Sequence, residues 1–410
     1  MNKLAVFIMV LIGIQLSMAQ NQNTKVLFVI VDGIPADVIE KVSTPNLDAI
    51  ATIGGYTRTY VGGEKKGYSE TPTISAVGYN SLLTGTWANK HNVWGNGIKD
   101  PNYNYWTIFR FAKENRSELK TAIFSTWLDN RTKLVGDGLP ATGNIKLDYH
   151  FDGFELDTVA FPHGEDRLYI HKIDEHVTDG AARYIKTKSP DLSWIYLEYT
   201  DDMGHQYGDS DQFYDAIKTM DDQIGRIWEA IEYRGKTFGE NWQLWITTDH
   251  GRTSDDGKGH GGQSDRERST WIVTNAKDLN PYFKQDNPGI VDIMPTMLDA
   301  LDIHPKKEQL WELDGVPLTG NISVAQAKSA LKGNKLELTW KSFQPSENLE
   351  IWITTTNNYA KGGTDKYVRL GKVKSGEEKM IIDLAKMPSD FYKIVLQGKY
   401  NATNTWAIRR

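Results

Sequence analysis

Acidic and imidazole side chains lie just after apolar segments that are typical of β-strands. Three aspartates follow three such segments, namely Val26–Val31 before Asp32, Trp194–Thr200 before Asp201, and Gln243–Thr248 before Asp249. His205 lies four residues after the second aspartate, His250 follows the third directly, and His260 lies ten residues after His250. Ligand sites in open α/β sheets lie at the carboxyl ends of strands, and carboxylates gathered there repel one another unless cations neutralise them. The three aspartates and three histidines are enough ligands for two divalent metal sites that a nucleophile or substrate completes.

Each of these residues, taken alone, also has an ordinary structural interpretation. An aspartate after a strand is often a turn residue or a helix cap, and a lone histidine is often a core or surface residue. The metal-site prediction therefore depends on the combination rather than on any one residue. The other histidines lack such partners and are interpreted as structural, with His91 as a group that could support the site without binding a metal; they are His91, His150, His163, His171, His176 and His304.

A nucleophile is expected in the hydroxyl-rich segment Tyr68–Gly85. Ser75 begins a helical pattern there, and its hydroxyl has two interpretations. It can cap the helix N-terminus, or it can act as an alkoxide nucleophile after a coordinated dication has lowered its pKa. The helix N-terminus would also favour an incoming anion.

The order of these features resembles that of the alkaline phosphatase superfamily, and most closely its nucleotide pyrophosphatase/phosphodiesterase branch. In that branch the nucleophile precedes a Thr-Gly pair, a turn that contains histidine, and an asparagine that contacts the phosphoryl oxygens. The similar residues here are Thr84-Gly85, Lys90-His91-Asn92-Val93 and Asn96. Segments Thr44–Asp48 and Val291–Thr296 also look like superfamily segments, so the resemblance covers roughly residues 25–318.

The resemblance implies a role for each candidate residue. One metal would be held by Asp201, His205 and His260, and the other by Asp32, Asp249, His250 and the Ser75 oxygen. The family uses zinc, although His and carboxylate ligands by themselves also accept manganese or iron. Ser75 would attack and form a covalent phosphoseryl intermediate, while Asn96 and the Ser75 backbone N–H would bind the remaining phosphoryl oxygens.

The sequence departs from the branch pattern beside the nucleophile. Ser75 stands where the branch usually has threonine, and Ala76 stands where it has an aromatic residue that stacks a nucleotide base. Residues Ala76–Asn89 contain no arginine of the kind that binds a dianionic phosphate in the phosphomonoesterase branch, and the sulfatase motif is absent. We expect a phosphodiesterase or nucleotide pyrophosphatase, with a phosphomonoesterase as the alternative. Thr73 is the alternative nucleophile, although the spacing to Thr84-Gly85 and Asn96 favours Ser75.

Apolar segments and helical patterns alternate through residues 20–320, which predicts a doubly wound, mostly parallel α/β sheet sandwiched by helices, as in alkaline phosphatase. Further strands are expected at Thr121–Ser125 and Thr270–Thr274. One helix carries an apolar stripe of Phe213, Ile217, Met220, Ile224, Ile227 and Ile231. Residues 325–410 contain short alternating segments separated by turn residues, which predicts a small β-sandwich domain similar to immunoglobulin or fibronectin domains.

The first 19 residues have the basic start, apolar run and small residues of a secretory signal, with cleavage expected before Gln20. The chain has 410 residues and no cysteine, which excludes disulfides, thiolate metal sites and cysteine nucleophiles. We expect an exported protein, periplasmic or secreted, of a bacterial envelope. The formal net charge of −6 argues against a broad nucleic-acid surface. The apolar run of the signal is too short to span a membrane, and the sequence contains no other long apolar stretch. The expected partner is a small phosphoester.

An exported binding protein is an alternative of another class. The β domain would then recognise a glycan or a surface, with Trp340, Trp352 and Trp406 as candidate contacts. Alternation along the strands makes the same tryptophans candidates for the core. The partner of this domain is not indicated by the sequence.

Overall fold

A computed structural model describes residues 24–409, so the predicted signal at 1–19 lies outside the described residues. Within these residues a central sheet has seven strands in the order β2-β7-β6-β1-β5-β3-β4. The strands are β1 (Thr24–Val31), β2 (Gly55–Tyr60), β3 (Thr121–Ser125), β4 (Tyr149–Phe151), β5 (Leu192–Leu197), β6 (Asn241–Thr247) and β7 (Ser269–Thr274). β1 pairs in parallel with β5 and β6, whereas β7 is antiparallel to both of its neighbours.

The middle strand β1 is buried on both faces because nearly all its residues are apolar. Val26, Phe28 and Ile30 face one hydrophobic core, and Leu27, Val29 and Val31 face the other. A sheet covered on both faces by helices confirms the predicted doubly wound architecture.

The helices α1–α11 of the described chain lie mostly against this sheet. They are α1 (Ala36–Ile39), α2 (Pro45–Ile53), α3 (Ser75–Thr84), α4 (Ala88–His91), α5 (Ile108–Asn115), α6 (Leu168–Lys188), α7 (Tyr199–Tyr207), α8 (Asp211–Phe238), α9 (Pro281–Gln285), α10 (Ile293–Ala300) and α11 (Lys307–Leu310). A π-helical turn spans Asn130–Val135, and 3₁₀ turns span Pro140–Thr142, Phe154–Leu156, Ile290–Asp292, Tyr359–Lys361 and Ser375–Glu377. All six residues of the predicted apolar stripe are buried in α8, which confirms its packing role.

One strand prediction is too long. The segment Trp194–Thr200 was expected to be extended throughout, but β5 ends at Leu197 and α7 begins at Tyr199. The buried carboxylate of Asp174 accepts the backbone N–H groups of Glu198 and Tyr199 at 2.8–3.1 Å. Because these two N–H groups bind a side chain of α6, they do not hydrogen-bond to the strands beside β5. The strand therefore ends there, and the chain continues as a helix. Asp201 therefore lies in the first turn of α7.

Two antiparallel sheets follow the α/β part. Their strands are β8 (Val324–Lys332), β9 (Lys335–Ser342), β10 (Asn348–Thr354), β11 (Val368–Lys374), β12 (Lys379–Asp383), β13 (Phe391–Gln397) and β14 (Ala402–Ile408). The sheet orders are β11-β10-β13-β14 and β12-β9-β8, and the inner faces share one hydrophobic core. This antiparallel region confirms the predicted C-terminal β architecture.

The tryptophans considered as surface contacts are engaged inside the protein. Trp340 is buried and donates its Nε1–H to the Ser375 carbonyl at 2.7 Å. Trp406 is buried and stacks on Tyr68 of the α/β part. Trp352 is half-buried and packs on Trp311. The contacts of Trp406 and Trp352 join the two parts of the chain, whereas that of Trp340 lies within the β part.

Candidate metal centre

The first group of candidate ligands lies where two neighbouring parallel strands end. Asp32 follows β1 and Asp249 lies just beyond β6. Because these strands pair in parallel, their register brings both carboxylates to the carboxyl-terminal end of the sheet. Gly33, whose φ of 69° suits glycine, makes the turn after β1 and donates its N–H to Asp249 Oδ1 at 3.2 Å. This bond directs the other Asp249 oxygen towards Asp32.

The His250 ring completes this group. His250 Nε2 lies 3.3 Å from Asp32 Oδ1 and 3.3 Å from Asp249 Oδ2. Its Nδ1 lies 3.0 Å from the Gly251 carbonyl, which accepts the ring proton there and leaves Nε2 as a lone-pair donor. Both facing carboxylate oxygens are buried without a hydrogen-bond partner. Burial, and then the Asp32 charge, raise the pKa of Asp249 well above its usual range.

The second group lies beside the first. His205 Nε2 is 3.1 Å from Asp201 Oδ2 and 3.1 Å from His260 Nε2. His260 Nδ1 donates to the Thr73 carbonyl at 2.9 Å, and burial, followed by the electrostatic effect of the neighbouring His250 ring, lowers the pKa of His260 to about 4. His260 is therefore neutral at pH 7, with Nε2 open as a ligand.

The two groups are adjacent. The rings of His250 and His260 stack with centroids 3.7 Å apart, and the ligand atoms of Asp201, His250 and His260 lie within 4.8 Å of one another. Burial alone would raise the pKa of Asp201, but the Arg252 guanidinium and the His205 ring outweigh it and hold that pKa well below its usual range. The hydrogen bond from His205 to Asp201 raises the pKa of His205.

The donor set fits divalent metal ions. In a tetrahedral zinc site with bonds of about 2.0–2.2 Å, neighbouring ligand atoms are roughly 3.3–3.6 Å apart. The contacts of 3.1–3.3 Å within each group are close to this spacing. Buried carboxylate oxygens that face imidazole lone pairs carry a desolvation cost that a cation would remove. The structure thus brings all six predicted side chains into two neighbouring groups that could hold a metal.

Ser75 faces this cluster. It is the first residue of α3, and its Oγ lies 3.4 Å from His250 Nε2. The capping interpretation is wrong, because Ile74 and not Ser75 occupies the N-cap position. Asn96 lies next to it and accepts the Ala76 N–H at 3.0 Å.

Thr73 is committed to the backbone. Its Oγ1 donates to the Gly262 carbonyl at 2.9 Å and accepts the Gly261 N–H at 3.0 Å. This pair of bonds fixes the turn that carries His260. The geometry therefore favours Ser75 over Thr73 as the hydroxyl that faces the cluster.

His91 lies behind the nucleophile helix. It is fully buried, with Nε2 3.1 Å from Ser81 Oγ of α3, and its Nδ1 accepts the Val93 N–H at 3.1 Å. Burial lowers the pKa of His91 to about 3. The ring supports α3 and the start of the Asn96 loop without contacting a candidate ligand in these bonds.

Three supporting residues were not predicted from the sequence. The hydroxyls of Tyr79 and Tyr196 both donate to Asp32 Oδ2, and the buried Arg252 binds Asp201. Tyr79 lies one turn after Ser75, and Arg252 directly follows Asp249-His250-Gly251, so position near the motifs was the available signal. Each holds one carboxylate oxygen and leaves the other for the cluster.

The fold and the site together define a class of protein. The sheet order, the helices on both faces and the ligands at the strand ends match the predicted alkaline-phosphatase-like fold. The solved structure of Ps i-CgsB in complex with k-i-k-neocarrahexaose has a TM-score of 0.53 and 15% identity, over 85% of this chain and 86% of that chain. The phosphonate monoester hydrolase of Agrobacterium radiobacter has a TM-score of 0.51 and 15% identity, over 88% and 89%.

The sequence also matches the model of the family described as type I phosphodiesterase / nucleotide pyrophosphatase over residues 26–265. This is more than half of the chain, and the chain belongs to this family. Human ectonucleotide pyrophosphatase/phosphodiesterase family member 5 is 26% identical over 284 residues, which are 67% of this chain and 51% of the relative. The chain spans about a quarter to a little over half of the length of the curated relatives it matches. This membership confirms the family that the sequence was predicted to resemble.

Proposed function

We propose that the protein is an exported hydrolase of phosphodiester or phosphoanhydride bonds that uses two divalent metal ions, zinc being the expected metal. One observation carries the proposal: six acidic and imidazole side chains from distant segments converge on two adjacent groups, and Ser75 Oγ lies 3.4 Å from one of them. Membership of the phosphodiesterase family supports the same reaction class.

The metal ligands, Ser75 and Asn96 would each have a separate role in the reaction. Metals held by Asp32, Asp249 and His250 and by Asp201, His205 and His260 would supply positive charge to the phosphoryl oxygens and lower the pKa of the Ser75 hydroxyl. Ser75 attacks phosphorus and displaces the leaving group, and water then hydrolyses the phosphoseryl bond. The Ser75 backbone N–H has no partner within α3, and the Asn96 side-chain NH₂ is held beside it, so both can donate to phosphoryl oxygens.

The residues beside Ser75 support a diester in preference to a monoester. A terminal phosphate is dianionic and is usually bound by an arginine, whereas a diester carries one charge. No arginine or lysine occurs in Ala76–Asn89, the segment that follows the nucleophile. Ala76 offers no aromatic face to a base, so the proposal does not require a nucleotide substrate.

Export is supported by the signal-like pattern of residues 1–19. Among residues 24–409, none of the helices is both long and apolar enough to span a bilayer. We place the protein in the periplasm or outside the cell, in keeping with its lack of cysteine.

Hydrolysis of bis(p-nitrophenyl) phosphate and of p-nitrophenyl phosphate tests the proposal. The diester should turn over faster, chelation should abolish turnover, and added Zn²⁺ should restore it. Ser75→Ala should lower kcat/KM by at least about 10³-fold while metal content stays the same. Full turnover after exhaustive chelation would contradict the metal requirement. An inactive Thr73→Ala together with an active Ser75→Ala would transfer the nucleophile role to Thr73.

A further inference from the structure

Arg252 is a buried cation directly behind the candidate metal centre. Its side chain is fully buried, and its guanidinium donates four hydrogen bonds, all to oxygen. Nε donates to the Gly33 carbonyl at 2.9 Å, and Nη1 donates to the Lys258 carbonyl at 3.0 Å. Nη2 donates to the Asp201 carbonyl at 2.7 Å and also to Asp201 Oδ1. The guanidinium is thus held on three chain segments at once.

Two glycines make room for this guanidinium. A Cβ built on Gly204 would lie 2.1 Å from Arg252 Cζ, and one built on Gly33 would lie 2.4 Å from Asp201 Oδ1. Neither distance is compatible with a side chain unless the pair separates. The absence of a side chain at Gly33 and Gly204 therefore allows the contact between Arg252 and Asp201.

The two carboxylate oxygens of Asp201 have different partners. Oδ1 faces Arg252, and Oδ2 lies 3.1 Å from His205 Nε2 on the side of His260. We propose that Arg252 is a positioning residue that orients Asp201 so that Oδ2 alone is presented to a metal, and this inference rests on the proposed function. Nη2 reaches Oδ1 from a fixed position, because the same guanidinium is also held by the carbonyls of Gly33, Lys258 and Asp201. A lysine ammonium has one nitrogen and does not reproduce this planar set of donors.

The next carboxylate provides a matched control. Asp202 is bound by Arg167, with Nε to Oδ2 at 2.9 Å and Nη2 to Oδ1 at 2.8 Å. Both of its oxygens are occupied, and neither belongs to the candidate ligand groups. Arg167→Met therefore removes an arginine–aspartate ion pair one residue away, at a more exposed guanidinium, without releasing a predicted ligand.

The experiment uses Co²⁺ as a probe on the full chain after removal of metal. Competition with a chromophoric chelator gives the affinity of each bound ion, and the absorption spectrum reports the coordination geometry. Arg252→Met should weaken binding of one of two ions about 10- to 100-fold and should change the spectrum, because Asp201 can then rotate. Arg167→Met should leave both affinities and the spectrum unchanged.

The outcomes separate this inference from the proposed function. A wild-type protein that binds no Co²⁺ contradicts the proposed metal centre itself. A wild-type protein that binds two ions, with Arg252→Met folded and unchanged in affinity and spectrum, overturns the positioning role alone. If circular dichroism shows that Arg252→Met does not fold, Arg252→Lys decides. It keeps the buried charge, and we expect weaker binding and an altered spectrum, whereas wild-type binding overturns the inference.

Discussion

The buried ring of His91 should make the stability of this protein depend on pH. Its Nδ1 accepts the Val93 N–H and its Nε2–H faces Ser81 Oγ, so both nitrogens are satisfied only in one neutral tautomer. A proton added at Nδ1 would face another N–H donor in a fully buried site. Burial accordingly lowers the pKa of His91 to about 3.

The sign and size of the effect follow from linkage. The unfolded chain, in which histidine has a pKa near 6.5, binds more protons than the folded chain between that value and about 3. The contribution of His91 to the free energy of unfolding is fully present above the pKa of histidine in the unfolded chain. It is lost as the pH falls below that value. At about pH 5 the protonated form of the unfolded histidine exceeds the neutral form roughly 30-fold. This ratio corresponds to a loss of about 2 kcal/mol in the free energy of unfolding.

Urea unfolding of wild-type protein and of His91→Gln at about pH 7.5 and about pH 5 measures this loss. Metal-free protein is used so that release of metal does not contribute. The difference in unfolding free energy between the two proteins should shrink by about 2 kcal/mol at the lower pH, because glutamine does not titrate. Equal pH dependence of both proteins would refute the assignment of a neutral, buried His91.

Other expectations concern the supports of the site. Tyr79→Phe combined with Tyr196→Phe removes both hydroxyls that bind Asp32 Oδ2. This double variant should weaken zinc binding about 10- to 100-fold in chelator competition, and wild-type affinity would count against that role. Lys90 is fully buried with its Nζ 2.6 Å from Asp314, so Lys90→Met leaves a buried carboxylate unpaired and should cost about 3–5 kcal/mol in urea unfolding. The exposed Lys218, changed in the same way, should show little effect, and a similar loss there would contradict the argument.

The central strands and the ligands were accessible to sequence reasoning for physical reasons. Strands buried on both faces are short apolar runs, and β1 is of this kind, with Asp32 at its end. The edge strand β2 was not predicted, because its residues are mostly half-buried or exposed and leave no apolar signal. β8 was also missed, since only its first two residues are buried and its register shifts after Ala325.

The supports of the ligands were beyond the reach of the sequence. Asp174 binds the backbone N–H of Glu198, 24 residues later in the chain, where β5 has ended. Arg252 binds the carboxylate of Asp201, 51 residues earlier in the chain. Such pairs depend on the packing of α6 and α7, which local patterns do not encode. The ligand types were predictable because metal chemistry restricts them, whereas many residue types can hold a carboxylate in place.

Anomalous diffraction at the zinc edge, from crystals of the full chain grown with Zn²⁺, tests the central claim most directly. We expect two peaks, one between Asp32, Asp249 and His250 and one between Asp201, His205 and His260, with Ser75 Oγ facing the first. A single peak, or zinc bound away from these six side chains, would contradict the two-metal hydrolase proposed for this protein.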